Sequence, residues 1–189
     1  MLVSDGDDSR SWILLDASCV MNLYATRQMP EILRAHSARF GIVVNVREES
    51  LYVRRGGSGT DAEEHDPVDL EPLIQSGVLV VFDLTPDEET TFIAFAARLD
   101  DGEAATCAVA IHRGMAVVMD DRKGRSVLAA AAPTVTAHRT LDLVRHWAES
   151  KSIPFAEIAQ VLRAIRERAR FFPGRTDPNK AWWDAILPL

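Results

Sequence analysis

Short apolar runs alternate with helical periodicity along most of this chain. β-rich stretches stand at WILLD (12–16), FGIVV (40–44), GVLVVFDL (77–84), MAVVMD (115–120) and TVTA (134–137). Between them apolar residues recur at helical spacing, which predicts helices near 18–37, 46–55, 69–76, 86–99, 103–113, 122–131, 139–150 and 155–170. Strands separated by helices are joined by crossovers, so the pattern predicts an α/β fold with a mostly parallel central sheet of about five strands.

The amount of apolar material limits how this is divided. With 189 residues and 47% hydrophobic content, the chain can bury one sizeable core. The expected organisation is a domain over 1–137 and a helical extension over 138–189 packed on it. RRGGSGTDAEEHDP at 54–67 is glycine-rich and then acidic, and reads as a flexible surface insertion. The polar, acidic first ten residues and the short run WILL lack the apolar length of a signal peptide or membrane span. A cytoplasmic protein with no membrane partner is therefore expected. Cys19 and Cys107 lie in apolar surroundings without a partner at metal-ligand spacing, so both are expected to be buried thiols.

Charge changes the picture in one respect. The formal net charge is −7, but residues 1–136 hold 12 Lys and Arg against 22 Asp and Glu, whereas 137–189 hold 9 against 6. The acid is concentrated in the body of the fold. Much of it, as in DAEEHDPVDLEP and PDEE, is ordinary solvated loop and helix-start charge.

Acids at the carboxyl ends of parallel strands matter more, because ligands of such sheets gather there. Asp16 ends the first strand, and Asp120 and Asp121 end the MAVV strand. Glu48 and Glu49 follow GIVV, while Asp100, Asp101 and Glu103 open the helix that feeds the Asp120 strand. A helix and the strand after it run antiparallel, so the start of one and the end of the other share a sheet edge. Each acid also has a local role open to it. Asp100 and Glu103 fit a capping box, Asp120 or Asp121 can cap the helix after it, and Ser18 is placed to cap the first helix. Caps alone would leave several carboxylates crowded together, which disfavours ionisation unless a positive charge intervenes. An all-oxygen pocket without His or Cys suits Mg²⁺ or Mn²⁺ better than Zn²⁺.

LLDAS at the first strand, a Glu in the second helix, a DDGEA helix start and a DD strand end, in this order, resemble the PIN domain. The resemblance covers about residues 12–137 and implies a PIN-like three-layer α/β/α fold. It implies catalytic, metal-holding carboxylates at Asp16, Glu49, Glu103 and Asp121, with Asp101 and Asp120 as supporting metal ligands. It also implies a metal-dependent ribonuclease acting on single-stranded RNA, with an antitoxin protein as partner if the chain is the toxin of a toxin–antitoxin pair. Many PIN domains carry Thr or Ser before the last acidic element, where this chain has Met119.

The resemblance implies that water, activated by the metal, is the attacking group, and no Ser–His or Cys–His arrangement suggests a side-chain nucleophile. Arg122, Lys123 and Arg125 lie just beyond the acidic strand end, where a phosphate backbone would pass, and Ser18 is the further substrate-contact candidate. On 155–170, Arg163, Arg166 and Arg170 form a basic stripe opposite Ile158, Leu162, Ile165 and Ala169. In the tail FFPGRTDPNKAWWDAILPL, a break at Pro173 and Gly174 and a short helix through Trp182 and Trp183 are expected, with self-packing and a homodimer contact both open. Three other readings remain: a haloacid-dehalogenase-like phosphatase, which wants Asp where Ser18 stands; a phospho-receiver, whose Asp and Lys have no counterpart; and a silent PIN-like binding module.

Overall fold

A computed structural model describes residues 11–49, 51–55 and 64–188. In chain order the elements are β1 (Trp12–Leu15), α1 (Ala17–Ala25), α2 (Met29–Arg34), β2 (Arg39–Val43), α3 (Val44–Glu48), β3 (Tyr52–Arg54) and β4 (His65–Pro67). They continue with α4 (Glu71–Gln75), β5 (Leu79–Phe82), α5 (Pro86–Ala96), α6 (Asp101–Arg113), β6 (Ala116–Val118) and α7 (Arg122–Ala131). The last are β7 (Ala137–His138), α8 (Thr140–Ser150), α9 (Phe155–Arg168) and α10 (Lys180–Ile186).

Five strands form one sheet in the order β5-β2-β1-β6-β7, and every pairing in it is parallel. The chain runs one way from β1 to β2 to β5, then crosses back over β1 to β6 and β7. Right-handed crossovers therefore place α1 and α2 on one face and α5, α6 and α7 on the other, giving three α/β/α layers. The reversal falls between β1 and β6, where the carboxyl ends of the two strands leave a crevice. Leu14, Leu15, Ile42, Val117 and Val118 are fully buried, as strands covered on both faces require. α6 is buried along most of its length, with Ala104, Ala105, Ala108 and Ala110 fully covered, and ends at Gly114 in the left-handed conformation (φ 63°) that turns the chain into β6. α8 and α9 pack on α1 and α2, and α10 on α9.

Several expected boundaries change. The single helix near 18–37 is two, broken after Thr26 by Arg27 at φ 60°. The helix near 46–55 is the short α3 followed by β3, because Tyr52 and Val53 belong to an antiparallel ribbon with β4 (Val53 opposite Asp66). That ribbon orders both ends of the expected 54–67 insertion, whose residues 56–63 lie outside those described. The strand near 134–137 is the two-residue β7, preceded by turn. Arg170 lies beyond the end of α9, so the expected basic stripe is reduced on the helix to Arg163 and Arg166. Among the described residues, no helix is long and apolar enough to cross a membrane.

Candidate active site

β1 hands the chain directly to Asp16. Its N–H donates to Val118 O of the neighbouring β6 (3.1 Å), so the residue sits at the reversal of the sheet, and only 1% of its surface is exposed. Asp16 is itself the residue before α1, in extended conformation, which displaces Ser18 from the expected cap position. Ser18 instead donates its hydroxyl to Asp16 Oδ2 (2.8 Å). Asp16 Oδ1 is buried without a hydrogen-bond partner. A buried carboxylate oxygen left unpaired is costly. Burial pushes the Asp16 carboxyl up from its ordinary range, with Asp120 adding to the rise and Ser18 opposing it.

The other acids surround this one. Glu103, in the first turn of α6, is pushed up to about 7, by burial first and then by Asp16, Asp121 and Asp100. Its carboxylate lies over the first turn of α7: a Cβ on Gly124 would stand 3.4 Å from Glu103 Oε1. Glu49 follows α3 in extended conformation and is not inside a helix. It reaches α6, where Gly102 leaves it room, and is raised by partial burial, then by Asp16, Asp100 and Asp101. Asp101 is exposed at the start of α6. Asp100 precedes α6 but makes no side-chain cap, so the expected capping box does not form and its carboxylate remains available to the cluster. Asp121 does cap, accepting from Gly124 N (2.8 Å).

Asp120, adjacent in sequence, faces another way. It accepts from Asn22 Nδ2 of α1 (2.8 Å), from Thr140 N (3.0 Å) and from Thr140 Oγ1. Both its oxygens are thus engaged in holding α1 and α8 to the end of β6. Asn22 and Thr140 were not among the expected site residues. Asn22 had a signal, since it stands one turn after Ser18 on the same helix face; Thr140 had none. Met119, where a hydroxyl residue was the comparison, is fully buried, with its sulfur against Gly124. Cys107 lies beneath the acids, and burial with Asp16 and Glu103 pushes its thiol up to about 12; Cys19 is raised well above its usual range by burial.

Of the basic candidates, Arg122 and Lys123 are exposed at the start of α7. Arg125 turns inward and donates to Met119 O (2.8 Å) and Asp120 O. Its guanidinium braces the strand end.

An implied divalent cation meets a donor set of the right chemistry: the orphaned buried oxygen Asp16 Oδ1, with Glu49 and Glu103 near enough to feel the Asp16 charge and Asp121 near enough to feel Glu103. Among the described residues, no group of three or more His, Cys, Asp or Glu side chains is arranged to hold a metal as it stands. The arrangement gathers negative charge at a sheet edge without yet drawing it to a point, and can accept a cation that compensates that charge.

No curated protein and no solved structure matches the chain. A family model for the PIN domain matches residues 12–176, from the first residue of β1 past the end of α9. With an all-parallel five-stranded sheet in three layers, the chain belongs to the PIN domain family.

Proposed function

We propose that this PIN domain is a metal-dependent endoribonuclease that hydrolyses phosphodiester bonds of single-stranded RNA. The observation that carries the reading is Asp16: a buried carboxylate with an unpaired oxygen, with Glu103, Glu49 and Asp121 around it. Nothing in the core's own packing accounts for so much negative charge at one edge. Asp16, Glu49, Glu103 and Asp121 would hold Mg²⁺ or Mn²⁺, with Asp100 and Asp101 contributing charge nearby. When bound, the cation supplies activation of water for attack and stabilisation of charge on the phosphate oxygens.

The chain's own residues have separate tasks. Ser18 fixes Asp16 through Oδ2 and leaves Oδ1 free to face a cation. Glu103, at about 7, exchanges a proton within the neutral range in the metal-free protein. Arg122 and Lys123 attract the phosphate backbone from the rim. Asp120 and Arg125 keep the end of β6 in place.

The test is cleavage of a labelled single-stranded RNA by the purified protein, in Mg²⁺, in Mn²⁺ and in chelator. Cleavage that requires the cation and disappears in Asp16→Asn and Asp121→Asn, both folded, is the expected result. Asn variants that cut as fast as the unchanged protein would remove the assignment.

A further inference from the structure

A cavity of about 420 Å³ opens beside the acidic edge, between the start of α7, the start of α8 and the segment that follows α9. Four arginines line it: Arg122, Arg125, Arg139 and Arg175. Two of them are committed. Arg125 is bound to backbone carbonyls, and Arg139 faces Asp177 (3.4 Å). Among the described residues, the guanidinium groups of Arg122 and Arg175 have no hydrogen-bond or ion-pair partner, and both residues are exposed. Phe172 forms part of the wall and is 60% exposed, while its neighbour Phe171 turns inward onto Trp183 (ring centroids 6.2 Å, edge-on).

The cavity's two acids do not cancel this positive charge, since Asp120 and Asp177 stand against four arginines. Their oxygens are already engaged, those of Asp120 by Asn22 and Thr140, and those of Asp177 by Arg139 and the Asn179 N–H (2.8 Å). Two unpaired guanidinium groups and an exposed aromatic ring around a small-molecule-sized hollow match one ligand chemistry: a phosphate joined to a planar base. Asp120 and Arg122 flank Asp121 in sequence, so the hollow adjoins the strand end that carries the acidic edge.

We infer that this cavity is a nucleotide subsite for single-stranded RNA, with Phe172 stacking on an unpaired base and Arg122 and Arg175 holding the phosphate beside it. The subsite rests on the nuclease reading for its purpose but not for its test. It gives the positively charged C-terminal portion a role in substrate capture, and selects unpaired strands because a stacked, paired base presents no face to Phe172.

Binding of a short fluorescein-labelled single-stranded RNA is read by anisotropy in EDTA, so that no cleavage intervenes. Phe172→Ala is expected to weaken it about tenfold, and Phe172→Trp to restore it. Arg175→Ala is expected to weaken binding and lower the salt-dependence slope by about one. Phe172→Ala should leave any binding of duplex RNA unchanged, and Arg163→Ala on α9 should leave single-strand binding unchanged. Phe172 and Arg175 are both exposed, and equal thermal midpoints for the variants and the unchanged protein check that each remains folded. Wild-type affinity in both Phe172→Ala and Arg175→Ala overturns the subsite. So does an equal loss in Arg163→Ala, which would mean diffuse attraction of a polyanion, or an unchanged protein that binds no single-stranded RNA. If the variants behave as expected but the unchanged protein cuts no RNA in Mg²⁺ or Mn²⁺, the subsite stands and the nuclease reading falls.

Discussion

Glu49 Oε1 occupies the space that a side chain on Gly102 would fill: a Cβ there would lie 2.1 Å from it. The glycine at the second position of α6 is therefore what lets a carboxylate from the β2 side of the sheet come against the helix start. The nearest obstacle is the far end of a flexible side chain, and the buried Val46 Cγ2 at 3.3 Å need give by only a few tenths of an ångström, so Gly102→Ala should fold, displacing Glu49 rather than the backbone. Its stability should be unchanged or higher by up to about 1 kcal/mol, since alanine is the better helix former. RNA cleavage should fall by about tenfold or more, because reacting groups tolerate little misplacement. Thermal unfolding and a cleavage assay check the two halves, and wild-type activity would show that Glu49 does not act from this position.

Adjacent aspartates and their neighbours should part company under mutation. Asp120→Ala removes the acceptor for Asn22 and for both donors of Thr140, a buried residue. Groups left unsatisfied should cost about 2–4 kcal/mol, read as a loss in unfolding free energy. Asp16→Asn removes a buried charge from among like charges, and in chelator should be neutral or stabilising by up to about 1 kcal/mol. Its cleavage should nonetheless be lost. Equal destabilisation by the two substitutions would contradict the division between a structural and a functional carboxylate.

The sheet and the edge were legible because both rest on periodicity. Parallel strands buried on both faces read as continuous apolar runs, and Asp16, Glu103 and Asp121 stand just past strand ends or at a helix start that the pattern locates to within a residue or two. Glu49 was harder. SLYVRR carries apolar residues that satisfy a helix as well as a strand, and the choice was made by pairing with His65–Pro67 across an insertion, which no local signal encodes. The distinction between Asp120 and Asp121 was hidden for another reason. Successive residues after a strand point in different directions, and which one meets solvent depended on Thr140, twenty positions away in sequence. Arg125 read as a phosphate contact because a charge near a strand end is ambiguous until its partners, here two carbonyls, are known.

One ion pair far from the acidic edge should dominate the acid limb of stability. Arg113 closes α6 onto α5 by donating to Glu88 (2.6 Å from Nε, 2.7 Å from a terminal nitrogen) and to Asp83 O, with Glu88 also completing a capping box with Thr85. The Arg113 guanidinium holds the Glu88 carboxyl down at about 2 from its ordinary 4.5. Glu88 thus binds a proton more readily unfolded than folded, so its contribution is complete above about pH 4.5 and is lost as pH falls toward 2. Glu88→Gln should cost about 2 kcal/mol at pH 7, with the difference from the unchanged protein shrinking through that window in denaturant titrations. A difference that stays constant from pH 7 to pH 3 would show that the charge is not what Arg113 holds.

The tail closes the core on one side, and its two tryptophans should behave differently. Trp183 is 4% exposed against Phe171, with Ile186 and Leu187 buried beside it, whereas Trp182 is only half-buried. Polar contacts fix the approach: Asn179, itself buried, donates to Asp142 Oδ1 of α8 (2.6 Å), and Arg139 faces Asp177. Trp183→Ala should therefore cost about 3–5 kcal/mol as a buried large-to-small change, and Trp182→Ala about 1 kcal/mol. Truncation after Phe172 should destabilise at least as much as Trp183→Ala, since it removes the same ring together with Ile186, Leu187 and the Asn179 contact. Light scattering on the Trp182→Ala protein separates two roles for the half-exposed ring: an unchanged mass leaves it as partial cover for the core, and a halved mass makes it the centre of a homodimer contact. A truncated chain as stable as the full one would mean that α10 rests on the domain without completing its core.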